Sequence, residues 1–149
     1  QQHAYILKDD ETEVPQFLKD AFKKGNRVQD ILTSTMKTGL TGNEILAQSL
    51  SQGKEEGLLP SIYTHPLGKY GHSAGTTIGM WDSQNGVLFN GDYPLQKNTA
   101  YAIELNTTVF IKEWNKDIRI MLEEAGFFGD DTFEYVNERQ TAIKSIKIN

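Results

Sequence analysis

Cysteine is absent from this chain of 149 residues. That excludes disulfides and thiolate metal ligands, and it leaves the redox compartment undecided. Histidine is scarce, with three in all. No apolar run approaches the roughly 18 residues that a membrane-spanning helix needs. No basic block is present, and 15 Lys and Arg against 20 Asp and Glu leave a net charge of −5. This balance argues against a nucleic-acid partner. Internal repeats and low-complexity tracts are missing as well. So is an initiator methionine: the chain opens Gln1-Gln2-His3-Ala4. Such a start reads as a cut inside a longer protein or after a removed leader. The expectation is a soluble chain, cytoplasmic or exported, with neither nucleic acid nor membrane as a partner.

What is present amounts to one domain with enough apolar residues for a core. The first fifty residues read as helical. Pro15 suits a first helical turn, with Glu11 and Glu13 on its acidic side. Phe17, Leu18, Ala21 and Phe22 share one face, and Gly25 then interrupts the pattern. A second segment carries Val28, Ile31, Leu32 and Met36 on one stripe and ends at Lys37-Thr38-Gly39. Thr41-Gly42-Asn43-Glu44 is a capping box. The helix after it carries Ile45, Leu46 and Leu50 and stops near Gly57. These residues read as core packing.

From Leu58 the pattern changes. Leu58 to Thr64 is a short strand candidate entering a glycine-rich connector over residues 66–79. Gly86 to Phe89 is a second short candidate. Asn98 to Val109 reads as a long strand with Tyr101, Ile103 and Leu105 on one face and Ala100, Ala102 and Glu104 on the other. Asp117 to Glu123 alternates likewise and groups Arg119, Met121 and Glu123. Phe127-Phe128 and Thr132 to Val136 supply one or two final strands. Helices first and antiparallel strands after them predict an α+β layer fold.

One imidazole and two acids on strand-like segments are raw material for a metal site of the Mn, Co, Fe or Zn type. Each residue has a plainer reading beside this one. A lone histidine in a glycine-rich loop can be a hydrogen-bonded surface residue. Glu104 can pair with Arg119 or Lys112, since a buried carboxylate needs a partner. Glu123 and Glu124 can form a solvated strand end. Trp81 and Trp114 read as pocket walls or core, and Arg139-Gln140-Thr141 as a structural turn.

Thr64-His65-Pro66-Leu67-Gly68, Gly71-His72-Ser73-Ala74-Gly75, Ala102-Ile103-Glu104 and Leu122-Glu123-Glu124, in this order, carry a resemblance. They are similar to the C-terminal part of the creatinase, aminopeptidase P and methionine aminopeptidase family, the pita-bread metallopeptidases. Within it they most resemble the Xaa-Pro peptidase branch. The resemblance implies a partial pita-bread fold, with N-terminal helices packed on a curved antiparallel sheet. It makes residues 1–149 the C-terminal portion of a catalytic domain. It assigns His72, Glu104 and Glu123 as metal ligands, with Glu124 competing with Glu123. It assigns His65 and Glu104 as catalytic, His65 contacting substrate and Glu104 handling the attacking water. The implied cofactors are two divalent ions, and the implied reaction is hydrolysis of an N-terminal or Xaa-Pro peptide bond by a metal-bridged hydroxide.

The sequence departs from that family in three places. Two aspartate ligands, expected on a β-ribbon before the first helix, are missing, since Asp9 and Asp10 sit adjacent on a polar turn. Lys69-Tyr70-Gly71 lengthens the interval between His65 and His72. Gly79 and Met121 stand where the family carries a further histidine and a basic residue. The expectation is therefore an incomplete fragment with little or no activity alone, able to self-associate or to join its missing N-terminal part. The alternative is a non-catalytic peptide-binding or assembly module that uses the same cleft.

Overall fold

The computed structural model describes residues 1–148. Two helices pack on one face of an antiparallel sheet. Helix α1 spans Gln16–Thr35 and α2 spans Gly42–Glu55. The strands are β1 (Ala4–Ile6), β2 (Pro60–Ile62), β3 (His65–Gly68), β4 (Gly71–His72), β5 (Thr99–Ile111), β6 (Lys116–Phe128), β7 (Phe133–Tyr135) and β8 (Lys144–Ile146). The main sheet runs β4-β3-β5-β6-β7, with β2 also paired to β5. The α+β expectation holds.

Gly25 does not break the first helix. Its missing side chain lets α1 lie close on β6. A Cβ there would stand 2.6 Å from Ile120 Cγ2 and 3.0 Å from Leu122 Cδ1. Glycine costs a helix interior roughly 1 kcal/mol relative to alanine, and the close helix–sheet approach outweighs it. Val28, Ile31 and Leu32 are buried along the same helix, and Met36 is buried just past its end. The capping box at α2 is formed in both directions: Glu44 N donates to Thr41 Oγ1, and Thr41 N donates to the Glu44 carboxylate. Those bonds satisfy backbone donors that the helix itself leaves free. They also hold Glu44's pKa below the ordinary carboxylate range.

Strands β5 and β6 form a hairpin paired along its whole length, from Thr99↔Phe128 to Ile111↔Lys116. Tyr101, Ile103, Leu105, Val109 and Ile111 of β5, with Ile120 and Leu122 of β6, face the helices and build the core. Fully burying each large apolar side chain is worth about 1.5–3 kcal/mol. The opposite face carries Glu104, Asn106, Arg119, Met121 and Glu123.

Several local expectations are corrected. Gly86–Phe89 is turn rather than strand, with Phe89 at a left-handed φ of 65°. Asn43 holds that loop, accepting from Val87 N at 2.7 Å and donating to Asp92 at 2.8 Å. Residues 66–79 are not purely a connector. They contain most of the β3–β4 hairpin, which turns through Lys69 and Tyr70 and re-enters pairing at Gly71, at φ 95°. Phe127 and Phe128 end β6 rather than open another strand. Of the two readings of Trp81 and Trp114, the core one fails, since both are largely exposed, whereas Trp81 does line a cleft. A parallel ribbon of β1 and β8, joining the two ends of the chain, was not expected.

Candidate functional site

The site is assembled by register. Strands β2 and β3 run antiparallel to β5, pairing Ile62↔Leu105 and His65↔Ala102 without a slip. Tyr63, between them, donates its N–H to Glu104 O at 2.9 Å. On the other side of β5, Glu104 stands directly opposite Glu123. Tyr63, in the link between β2 and β3, therefore forms one row with Glu104 of β5 and Glu123 of β6, on the face away from the helices. Side chains at i and i+2 of a strand share a face, so His65 stands beside Tyr63.

The β3–β4 hairpin folds back over this row. It places the His72 ring against the His65 ring, stacked with centroids 3.9 Å apart. His65 beneath it is 5% exposed, whereas His72 is exposed. The two imidazoles are held differently. His65 Nδ1 faces its neighbour's carbonyl, Pro66 O, at 3.0 Å. A carbonyl can only accept, so Nδ1 carries the proton and the Nε2 lone pair is free. That Nε2 lies 3.8 Å from Glu104 Oε2. The Nε2 atom of His72 is engaged instead with the Tyr63 hydroxyl at 2.9 Å.

The electrostatics follow from this packing. Burial raises the Glu104 pKa above the ordinary value, and the Glu123 carboxylate opposite raises it further; His65 and His72 pull the other way. An imidazole lone pair and two carboxylates face one another with the exposed Gln1 ammonium, 3.9 Å from Glu123, as the positive charge beside them; a further positive charge, as a proton or a cation, would offset the remaining negative charge. Neither Arg119 nor Lys112 provides it. His65 is the one basic side chain within 4 Å of the Glu104 carboxylate among the described residues, and it forms an ion pair there only when Nε2 also gains a proton. Glu124 points the other way, its Oε1 accepting from Gln140 N at 3.1 Å. Gln140 is buried and Arg139 pairs with Asp30 at 2.6 Å, so that turn is structural.

The donor chemistry suits a divalent cation, but the donor count does not. Among the described residues, no three His, Asp or Glu side chains converge closely enough to hold a metal ion. A small cleft of about 110 Å³ adjoins the row, lined by Ser61, Tyr63, Trp81, Glu104, Asn106, Arg119 and Met121 among others. Trp81, Glu104, Arg119 and Met121 were singled out from the sequence; Tyr63, Ser61 and Asn106 were not. The spacing of Tyr63 two residues before His65 was the available signal.

No family model and no curated relative matches the chain. Solved structures do. An X-Pro aminopeptidase from Thermotoga maritima MSB8 superposes with a TM-score of 0.64 at 18% identity, over 90% of this chain and 35% of its own. A dipeptidase from Pyrococcus horikoshii OT3 gives 0.60 at 13% identity, over 90% and 34%. A methionine aminopeptidase from Rickettsia prowazekii gives 0.58 at 14% identity, over 83% and 53%. The chain thus spans about a third to a half of the length of these proteins. At such identities the likeness shows the fold, which is part of the pita-bread fold. No helix is long and apolar enough to cross a membrane among the described residues.

Proposed function

We propose that this chain is the C-terminal portion of the catalytic domain of a metal-dependent peptidase of the Xaa-Pro type. The observation that carries the reading is the pairing of Glu104 with Glu123 on an open sheet face, with His65 Nε2 at 3.8 Å from Glu104. The partial coverage of longer peptidase structures supports it. In this reading Glu104, Glu123 and one histidine are a partial donor set. Further oxygen ligands, in the form of an aspartate pair, come from residues outside this chain. The bound ions, whether Mn, Co, Zn or Fe, would supply polarisation of a peptide carbonyl and activation of water.

The geometry favours His65 over His72 as the imidazole of that set. Metal-binding histidines commonly donate their other ring N–H to a carbonyl, which fixes the tautomer. His65 does this with Pro66 O. His72, exposed above it, then takes the place of the substrate-facing histidine. The cleft beside Glu104 receives peptide, with Trp81 and Tyr63 as apolar walls.

The test compares the chain with a version extended by the residues encoded before Gln1, using an Xaa-Pro dipeptide and added Mn. The chain alone is expected to show little or no hydrolysis. The extended version is expected to turn over substrate and to lose that activity in Glu123→Ala. An upstream sequence with no aspartate pair, and no turnover by either form, would reject the peptidase and leave a peptide-binding or assembly module. Full activity of the isolated chain would overturn the assignment of ligands outside it.

A further inference from the structure

We infer that Tyr63 is a positioning residue that holds His72 in the Nδ1–H tautomer and keeps its Nε2 atom out of the donor set facing Glu104. The hydroxyl and Nε2 are 2.9 Å apart. Either atom could supply the proton, and acidity decides between them. A phenol O–H is a far stronger acid than the N–H of a neutral imidazole. An imidazole nitrogen is also a better base than a phenol oxygen. The favoured arrangement is Tyr63 O–H donating to an unprotonated His72 Nε2, which places the ring proton on Nδ1.

Tyr63 is itself well held. Its N–H donates to Glu104 O, and its ring rests against both imidazoles, with centroids 5.2 Å from His65 and 6.1 Å from His72. Thr64 Oγ1 donates to the same Glu104 carbonyl at 3.1 Å. The phenol is therefore fixed by the strand that also carries Glu104, and it transmits that position to an exposed histidine on a two-residue strand. Without it, His72 has the stacking contact with His65 as its other restraint. Its Nε2 would then be free to turn toward other partners. Tyr63 so divides the two imidazoles. His65 keeps a free Nε2 lone pair near Glu104, and His72 has its own engaged.

The role in positioning a substrate-facing histidine rests on the peptidase reading; the tautomer does not. The experiment is long-range proton–nitrogen NMR on the chain without metal or substrate, at about pH 8.5, above the ordinary imidazole range near 6.5. With three histidines present, a His72→Gln spectrum assigns the signals. The expected result is an unprotonated Nε2 and a protonated Nδ1 for His72. In Tyr63→Phe, which keeps the ring and its stacking, His72 is expected to shift toward the Nε2–H form while His65 keeps its signals. A wild-type His72 already in the Nε2–H form, or a Tyr63→Phe variant with an unchanged His72 and a native fold, would overturn the inference. Failure of hydrolysis or metal binding in the extended protein would touch the peptidase reading alone.

Discussion

Replacing Glu104 with glutamine should stabilise the chain at neutral pH and fail to do so in acid. Glu104 and Glu123 are opposite neighbours on β5 and β6. Like charges in that position are destabilising by about 0.2–1 kcal/mol. The Glu104 side chain is 27% exposed and that of Glu123 is 39% exposed, so water screens the pair incompletely. A gain of about 0.2–1 kcal/mol for Glu104→Gln follows. The sign of the pH dependence comes from the raised pKa of Glu104, caused by burial and then by Glu123. The folded chain holds that proton to higher pH than the unfolded chain does. Protonated Glu104 is therefore tolerated at low pH, and stability is lost as pH rises through its folded value. Glutamine removes this loss. Urea denaturation of both proteins, followed from about pH 4 to about pH 7.5, should show curves that meet in acid and separate toward neutrality. High salt should narrow the separation. Adding Glu123→Gln should yield less than the sum of the two single gains, because one repulsion cannot be relieved twice. A Glu104→Gln variant that is less stable at neutral pH would refute the reasoning, since the carboxylate would then be satisfied rather than repelled.

Two further outcomes concern the scaffold that positions this row. Gly25→Ala should lose about 1 kcal/mol in thermal unfolding, because crowding against Ile120 exceeds the gain in helix propensity. A stabilised variant would mean that α1 does not press on β6 there. Asn43→Ala should lose about 1–3 kcal/mol by removing the partner of buried Val87 N and a bond to Val87 O. Amide exchange should then accelerate at Val87 and Gly91 and stay unchanged in β5 and β6; uniform acceleration would refute the local clamp.

Much of this architecture is written in short-range pattern. The alternation of Tyr101, Ile103 and Leu105 against Ala102 and Glu104 fixes which face of β5 meets the helices. The Thr41–Glu44 box marks the start of α2 because both of its bonds are local. What escaped detection depends on contacts remote in sequence. Gly25 reads as a helix breaker until Ile120, nearly a hundred residues later, lies against it. The three-residue strands β1 and β8 bury little, and their pairing joins the ends of the chain. Gly86 to Phe89 looks like a strand, yet Asn43 takes both backbone bonds of Val87 and Asp92 accepts from Phe89 N, which makes a turn. The candidate site divides in the same way. Glu104 and Glu123 are legible because each alternates within its own strand. The different situations of His65 and His72 are not, because they arise from a hairpin fold-back and from a hydroxyl two residues upstream.

Metal content bears on the central claim more directly than any rate. The isolated chain and its upstream-extended version would be equilibrated with Mn, desalted, and analysed for metal per polypeptide. The expected result is well under one ion on the isolated chain and close to two on the extended version, as in other two-metal sites. In the extended version, His65→Ala should lower the content more than His72→Ala. Stoichiometric metal retained by the isolated chain, or none retained by either form, would contradict the account.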